Sequence, residues 1–177
     1  MDSQIIVGKN LTLVPMDQKI YSLLEMWLSD SDIIQFLDDS ECNLNFHELQ
    51  KVYPVNNTKT SILFSIVDKK SNDPVGICGF QKIDNTKKNA FLRIIIGNKN
   101  FWDGKTALES EKLLLKFAFN ELKFDYIYSI INRKNIGQIM LVERLGMKKD
   151  CLLSNHISKN GKFFDAYKYL LFANDFS

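Results

Sequence analysis

Ile94 to Glu109 is the stretch where residue types and spacing best suit an anionic ligand. A β-rich run with Leu92, Ile94, Ile95 and Ile96 enters a loop containing Gly104, and a long helix follows from Lys105. The first N–H groups of such a helix have no partner within it, and they lie at the positive end of its dipole. Both features favour a phosphate. Gly104 lacks a Cβ that would block close approach, and Lys105 brings a local positive charge. Taken alone, the pattern fits a turn glycine beside a solvated lysine at least as well. Asn135, which opens a later helix, has the same two readings: a polar contact for a ligand or an ordinary N-cap.

Other chemistries find less support. Cys42, Cys78 and Cys151 are far apart, form no C-x-x-C pair and have only His47 and His156 to assist them. No metal site is expected from that set. The odd cysteine count suits a reducing compartment. With 23 basic against 21 acidic residues, the net charge of +2 gives no reason to expect a nucleic-acid or polybasic membrane partner. No apolar run approaches a membrane span, and the start MDSQIIVGKN lacks the apolar core of a signal peptide. The expected location is therefore the cytoplasm.

The elements that must position these residues can be read from periodicity. Leu11–Val14, closed by Pro15, reads as a strand. Ile20, Leu23, Leu24, Trp27 and Leu28 give helical spacing over Asp17–Leu28. Asp30-Ser31-Asp32 caps a short second helix, and Phe46–Val52 is a weaker helical segment. Ser61–Asp68 and Val75–Ile83 flank a turn-rich segment and predict a hairpin; Ala90–Ile96 predicts a central strand. Lys105–Leu122 is the strongest helix, with Ala107, Leu114, Ala118 and Leu122 on one face. Phe124–Ile131 is β-rich, and Asn135–Leu145 is a helix stopped by Gly146. Met147–Ile157 and Lys162–Leu171 form a hairpin through Asn160-Gly161. With no repeat or linker, residues 1–177 read as one domain: a mixed α/β (α+β) chain with helices on both faces of its sheet.

Order and residues together resemble the GNAT N-acetyltransferase superfamily over nearly the whole chain. The closest branch is that of ribosomal-protein N-terminal, amino-sugar and antibiotic acetyltransferases. The resemblance is carried by Ile6-x-Gly8-x-x-Leu11-x-Leu13-x-Pro15 with Trp27-x-x-Asp30, and by Pro74-Val75-Gly76-x-x-Gly79-Phe80. It continues in Phe101 to Glu109, in Asn135 through Leu145-Gly146-Met147, and in Asn160-Gly161-Lys162-x-x-Asp165. It implies a mostly antiparallel seven-stranded sheet whose central strands splay, with acetyl-CoA in the notch and no metal. By resemblance, Ile94, Ile95 and Ile96 offer backbone groups to the cofactor arm, and a backbone N–H near Ile95 is the oxyanion donor. Trp102, Asp103, Gly104, Lys105, Thr106 and Ala107 form the pyrophosphate loop, and Asn135 faces the cofactor.

The sequence departs from the family pattern at several points. Trp102 stands where the loop usually has Arg or Gln, and Lys105 replaces its first Gly. The family's strand Glu and helix Tyr correspond to Phe91 and Val142, neither of which transfers protons. Tyr126, Tyr128, Tyr167, Glu109 and His156 remain weak substitutes, since such residues are usually packed. The implied activity is transfer of an acetyl group to a primary amine of a small molecule (amino sugar, antibiotic, polyamine) or a protein N-terminus. The alternative is a non-catalytic acyl-CoA-binding module. Asp30, Asp32, Asp38, Asp39 and Glu41 could attract a cationic amine, although capping and surface solvation are their commoner roles. The exposed final hairpin is compatible with a homodimer.

Overall fold

Leu11–Pro15 (β2), Ser61–Asp68 (β3), Pro74–Asp84 (β4) and Asn89–Ile96 (β5) pair in sequence order as antiparallel neighbours. A computed structural model of the chain describes residues 4–176. A short strand, Ile6–Val7 (β1), precedes β2, and Tyr126–Asn132 (β6), Lys148–Lys159 (β7) and Lys162–Phe172 (β8) complete the sheet. Among the described residues the order is β1-β2-β3-β4-β5-β6-β8-β7, eight strands where seven were expected. The additional one is the two-residue β1. Among the described residues only the β5–β6 pair is parallel.

The central strands read as continuous apolar runs because both of their faces are covered. Ile62, Phe64, Ile66, Cys78, Phe80, Ala90 and Leu92 point to one face, where Lys105–Asn120 (α4) and Ile136–Arg144 (α5) pack. Leu63, Ile77 and Ile95 point to the other, under Ile20–Trp27 (α1), Ser31–Ile34 (α2) and Phe46–Val52 (α3). The first helix is shorter than its periodicity suggests, because Asp17 turns its carboxylate back to the N–H of Lys19, 2.8 Å away. The Asn160-Gly161 turn takes the left-handed backbone that a tight hairpin needs, with φ of 51° and 71°. Among the described residues no helix is long and apolar enough to cross a membrane, and no cluster of His, Cys, Asp or Glu could hold a metal.

Trp27 at the end of α1 fixes the exit of β5. Its indole lies where a Cβ on Gly97 would be, so only glycine allows the loop to pass the ring. Gly97→Ala must displace a fully packed indole and is expected to cost about 1–3 kcal/mol, read as a lower denaturant midpoint with unchanged slope. Unaltered stability would show that the ring does not constrain the loop.

Candidate functional site

The parallel pairing of β5 with β6 joins Asn89, Ala90 and Phe91 to Tyr126, Ile127 and Tyr128, and then stops. Beyond it the strands line a cavity of about 460 Å³, with Leu92–Ile96 on one side and Ser129–Asn132 on the other. Gly104 and Ala107 of the α4 start border it, as do Asn135, Gly137, Gln138 and Leu141 of the α5 start. Asp32, Ile33, Phe36 and Leu37 line it from the α2 segment. The α4–α5 pair and the α1–α3 group lie on opposite faces of the sheet, so the notch reaches both faces.

A strand that loses its neighbour exposes backbone groups that need partners. Ser129 Oγ donates to Leu92 O at 3.4 Å, and Trp102 Nε1 donates to Ile96 O at 2.8 Å. Alternation along the strand then directs the N–H and C=O of Ile94 into the notch as well, and those of Ile95 toward β4. Ile95 itself is buried against the α1–α3 face.

The loop before α4 divides between two surfaces. Trp102, Gly104 and Ala107 line the notch. Asp103, Lys105 and Thr106 line a separate shallow hollow beside β2, with Asn10, Leu11 and Glu109. Gly104 has φ +74° and open space around its missing Cβ, which is the backbone that lets the chain enter α4 so abruptly. Asp103 Oδ1 accepts from the N–H of Lys105 at 2.9 Å and of Thr106 at 3.3 Å. A carboxylate of the chain thus already occupies two of the donors at this helix start. Asn135 is the N-cap of α5, its Oδ1 accepting from Gln138 N at 3.2 Å, and it also lines the notch. The two roles coexist.

Residues 10–148 match the family described as acetyltransferase (GNAT) domain, well over half of the chain. The chain belongs to the GNAT acetyltransferase family. It is 23% identical over 172 residues to the uncharacterised N-acetyltransferase p20 of Bacillus licheniformis, covering 96% of each. Its fold is shared by a GNAT-family acetyltransferase of Bacillus anthracis: TM-score 0.81, 19% identity, 97% of this chain and 99% of that one. It is also shared by the spermidine N-acetyltransferase of Vibrio cholerae, solved with CoA and spermine: TM-score 0.82, 18% identity, 94% and 97%.

The acid–base inventory of this acetyltransferase's notch is sparse. Phe91 lines it, whereas Val142 is buried in the core beneath α5 and does not. None of Tyr126, Tyr128, Tyr167, Glu109 and His156 lines it. Tyr128 stacks at 5.6 Å on Phe91, Tyr126 lies against Phe172 and Tyr167 under Lys149. Glu109 accepts from the N–H and Nδ2 of Asn10, at 2.9 and 2.8 Å, and so ties α4 to the β1–β2 turn.

Two clusters escaped sequence reasoning. In the first, Arg93 meets Glu41 at 2.7 Å, donates from Nε to Gln81 at 3.0 Å and stacks on Phe91 at 4.8 Å. In the second, Glu111 is fully buried on α4; its Oε1 accepts from Gln138 Nε2 at 2.7 Å and its Oε2 has no partner among the described residues. Glu111 was detectable, since it occupies the apolar face between Ala107 and Leu114. Nothing in an apolar β-run marks Arg93 as paired.

Burial pushes the Glu111 carboxyl up to about 8, against a smaller opposing effect of the Gln138 amide. The folded chain therefore retains a proton there that the unfolded chain releases above its ordinary value of 4.5. Its contribution to stability is intact below that value and is lost as pH rises toward 8. Glu111→Gln should match the native chain near pH 4.5 and exceed it by about 3 kcal/mol at pH 7. Denaturant unfolding at several pH values measures this, and a pH-independent difference would contradict it.

Proposed function

We propose that this acetyltransferase moves an acetyl group from acetyl-CoA, held in the β5–β6 notch, to a primary amine of a small molecule or a protein N-terminus. The observation that carries the reading is the pair of strands that part just where α4 and α5 begin. The residues present fit the cofactor: Gly104 leaves room at the α4 start, and Ile94 turns free backbone groups into the notch. Bound there, acetyl-CoA would supply the acyl group as a thioester. Ile94 N–H, next to the expected Ile95 position, is the donor available to the thioester oxygen as negative charge develops on it. Trp102, Gly104, Ala107 and Asn135 would hold the cofactor. Asp103, Lys105 and Thr106 would act from the side through the α4 start. The spermidine enzyme's complex with CoA and spermine supports the pairing of CoA with an amine.

The second reading is binding without turnover. It is favoured by the notch lining, in which Asp32 and Arg93 are the only charged side chains among the described residues. Two measurements separate the readings. Acetyl-CoA should raise the melting temperature, and CoA release should follow addition of an amine. A thermal shift with no release on any amine would leave only the binding module, and no shift would defeat both readings.

Asp103 places a carboxylate on donors that a pyrophosphate would use. Asn retains a capping oxygen without the charge. Asp103→Asn should tighten acetyl-CoA binding severalfold, about 1 kcal/mol, as read by calorimetry. Weaker binding in the variant would mean that the carboxylate helps to build the loop rather than opposing the cofactor.

A further inference from the structure

If acetyl-CoA enters from the α4–α5 face, as the proposed function has it, the acceptor end of the notch lies on the α1–α3 face. The carboxylates near that end are already engaged. Asp38 caps the turn after α2 and accepts from Ser158 N at 2.8 Å. Asp39 accepts from Asn160 N at 2.8 Å, and Glu41 holds Arg93 and the Tyr53 hydroxyl. Asp30 and Asp32 share Lys99 at the rim, at 2.8 and 2.7 Å. A polyamine needs a carboxylate for each further ammonium that it buries, and the one carboxylate lining the notch among the described residues, Asp32, is already paired with Lys99 at the rim. The notch offers Arg93 instead, among the apolar side chains of Ile33, Phe36, Leu37 and Phe91.

We propose that the acceptor is an amine whose own skeleton carries a carbonyl or carboxylate oxygen beside an apolar group, as in an amino acid, its amide or the amino end of a peptide, and that Arg93 binds that oxygen. The guanidinium is held for this role. Glu41 takes Nη1, Gln81 takes Nε and the Phe91 ring supports the plane, so Nη2 is the nitrogen left without a partner among the described residues, on a side chain that lines the cavity. A planar fork fixed on one edge presents the other to an oxygen with little loss of freedom. The Glu41 partner cancels the net charge, so a neutral carbonyl is accommodated as well as a carboxylate. Asp30 and Asp32 carry one more negative charge than Lys99 supplies, and they draw the amine end to the mouth.

The test is calorimetric titration of the full chain loaded with CoA, using phenylalaninamide, phenylalanine, 2-phenylethylamine and spermidine. The oxygen-bearing ligands should bind at least about tenfold more tightly than 2-phenylethylamine, and spermidine should bind most weakly. In the double variant Arg93→Gln/Glu41→Gln, which leaves neither charge unpaired, the preference for the oxygen should fall toward unity. Spermidine as the tightest ligand, equal binding of 2-phenylethylamine, no binding of any of the four, or a preference that survives the double replacement would overturn the proposal. If the double variant fails to fold, the ranking on the native chain decides. A separate titration of acetyl-CoA without amine tests the cofactor reading. Its failure overturns that reading and this one together, whereas acetyl-CoA binding with the wrong amine ranking overturns this one alone.

Discussion

A parallel pair of strands that parts after three residue pairs is the constraint on which the rest of this structure depends. Continued pairing would satisfy the backbone of Leu92–Ile96 and leave no cavity in the middle of the sheet. Separation exposes that backbone, and the chain meets part of the cost with side chains, Ser129 at Leu92 and Trp102 at Ile96. Ile94, between them, retains unpaired groups in the notch. The N–H of Ile94 is thus a donor that the separation of the strands leaves facing the notch.

The same separation requires the two flanking layers to be held by something other than the sheet ladder. On the α4–α5 side, Glu111 in the second turn of α4 is joined to Gln138 in the first turn of α5. On the α1–α3 side, Asp38 and Asp39 reach across to the backbone of Ser158 and Asn160 and fasten the α2 segment to the β7–β8 hairpin. Lys99 clamps the start of α2 to the loop after β5 through Asp30 and Asp32, and its ammonium lies 5.9 Å from the Trp102 ring. Carboxylates that look like an attractive field for a cation in the sequence are largely structural ties in the fold. Their residual charge lies at an exposed rim, where solvent and salt weaken it.

Legibility in the sequence followed the range of the interactions involved. Elements fixed by local rules were readable: the Asn160-Gly161 hairpin, the Gly146 stop, the Asp30 cap and the alternation of β3 and β4. The tiny β1 strand was not, because two residues show no period and pair only through β2. The helix start after a strand that borders the notch was readable. Its internal division was not, since Trp102 and Ala107 turn into the notch while Lys105 and Thr106 turn toward β2, and this depends on the φ of Gly104. Arg93 looks like an isolated charge in an apolar strand until the chain brings Glu41 to it.

The sparse acid–base inventory is easier to reconcile with acetyl transfer when the contributions are compared. Positioning two reactants can lower a barrier by about 7–11 kcal/mol, provided that the reacting atoms are held in line. A general acid or base contributes about 10²–10⁴-fold, roughly 3–5 kcal/mol. A thioester already has a good leaving group, and some of an amine is neutral near its own titration point. On the proposed reading, the larger contribution would come from the shape of the notch and from Ile94, Asn135 and Arg93 within or beside it. By resemblance the smaller one would fall to positions 91 and 142, which here are Phe91 and Val142. On the proposed reading, rates should rise with pH as the free amine itself deprotonates, because neither Phe91 nor Val142 can take that proton in its place.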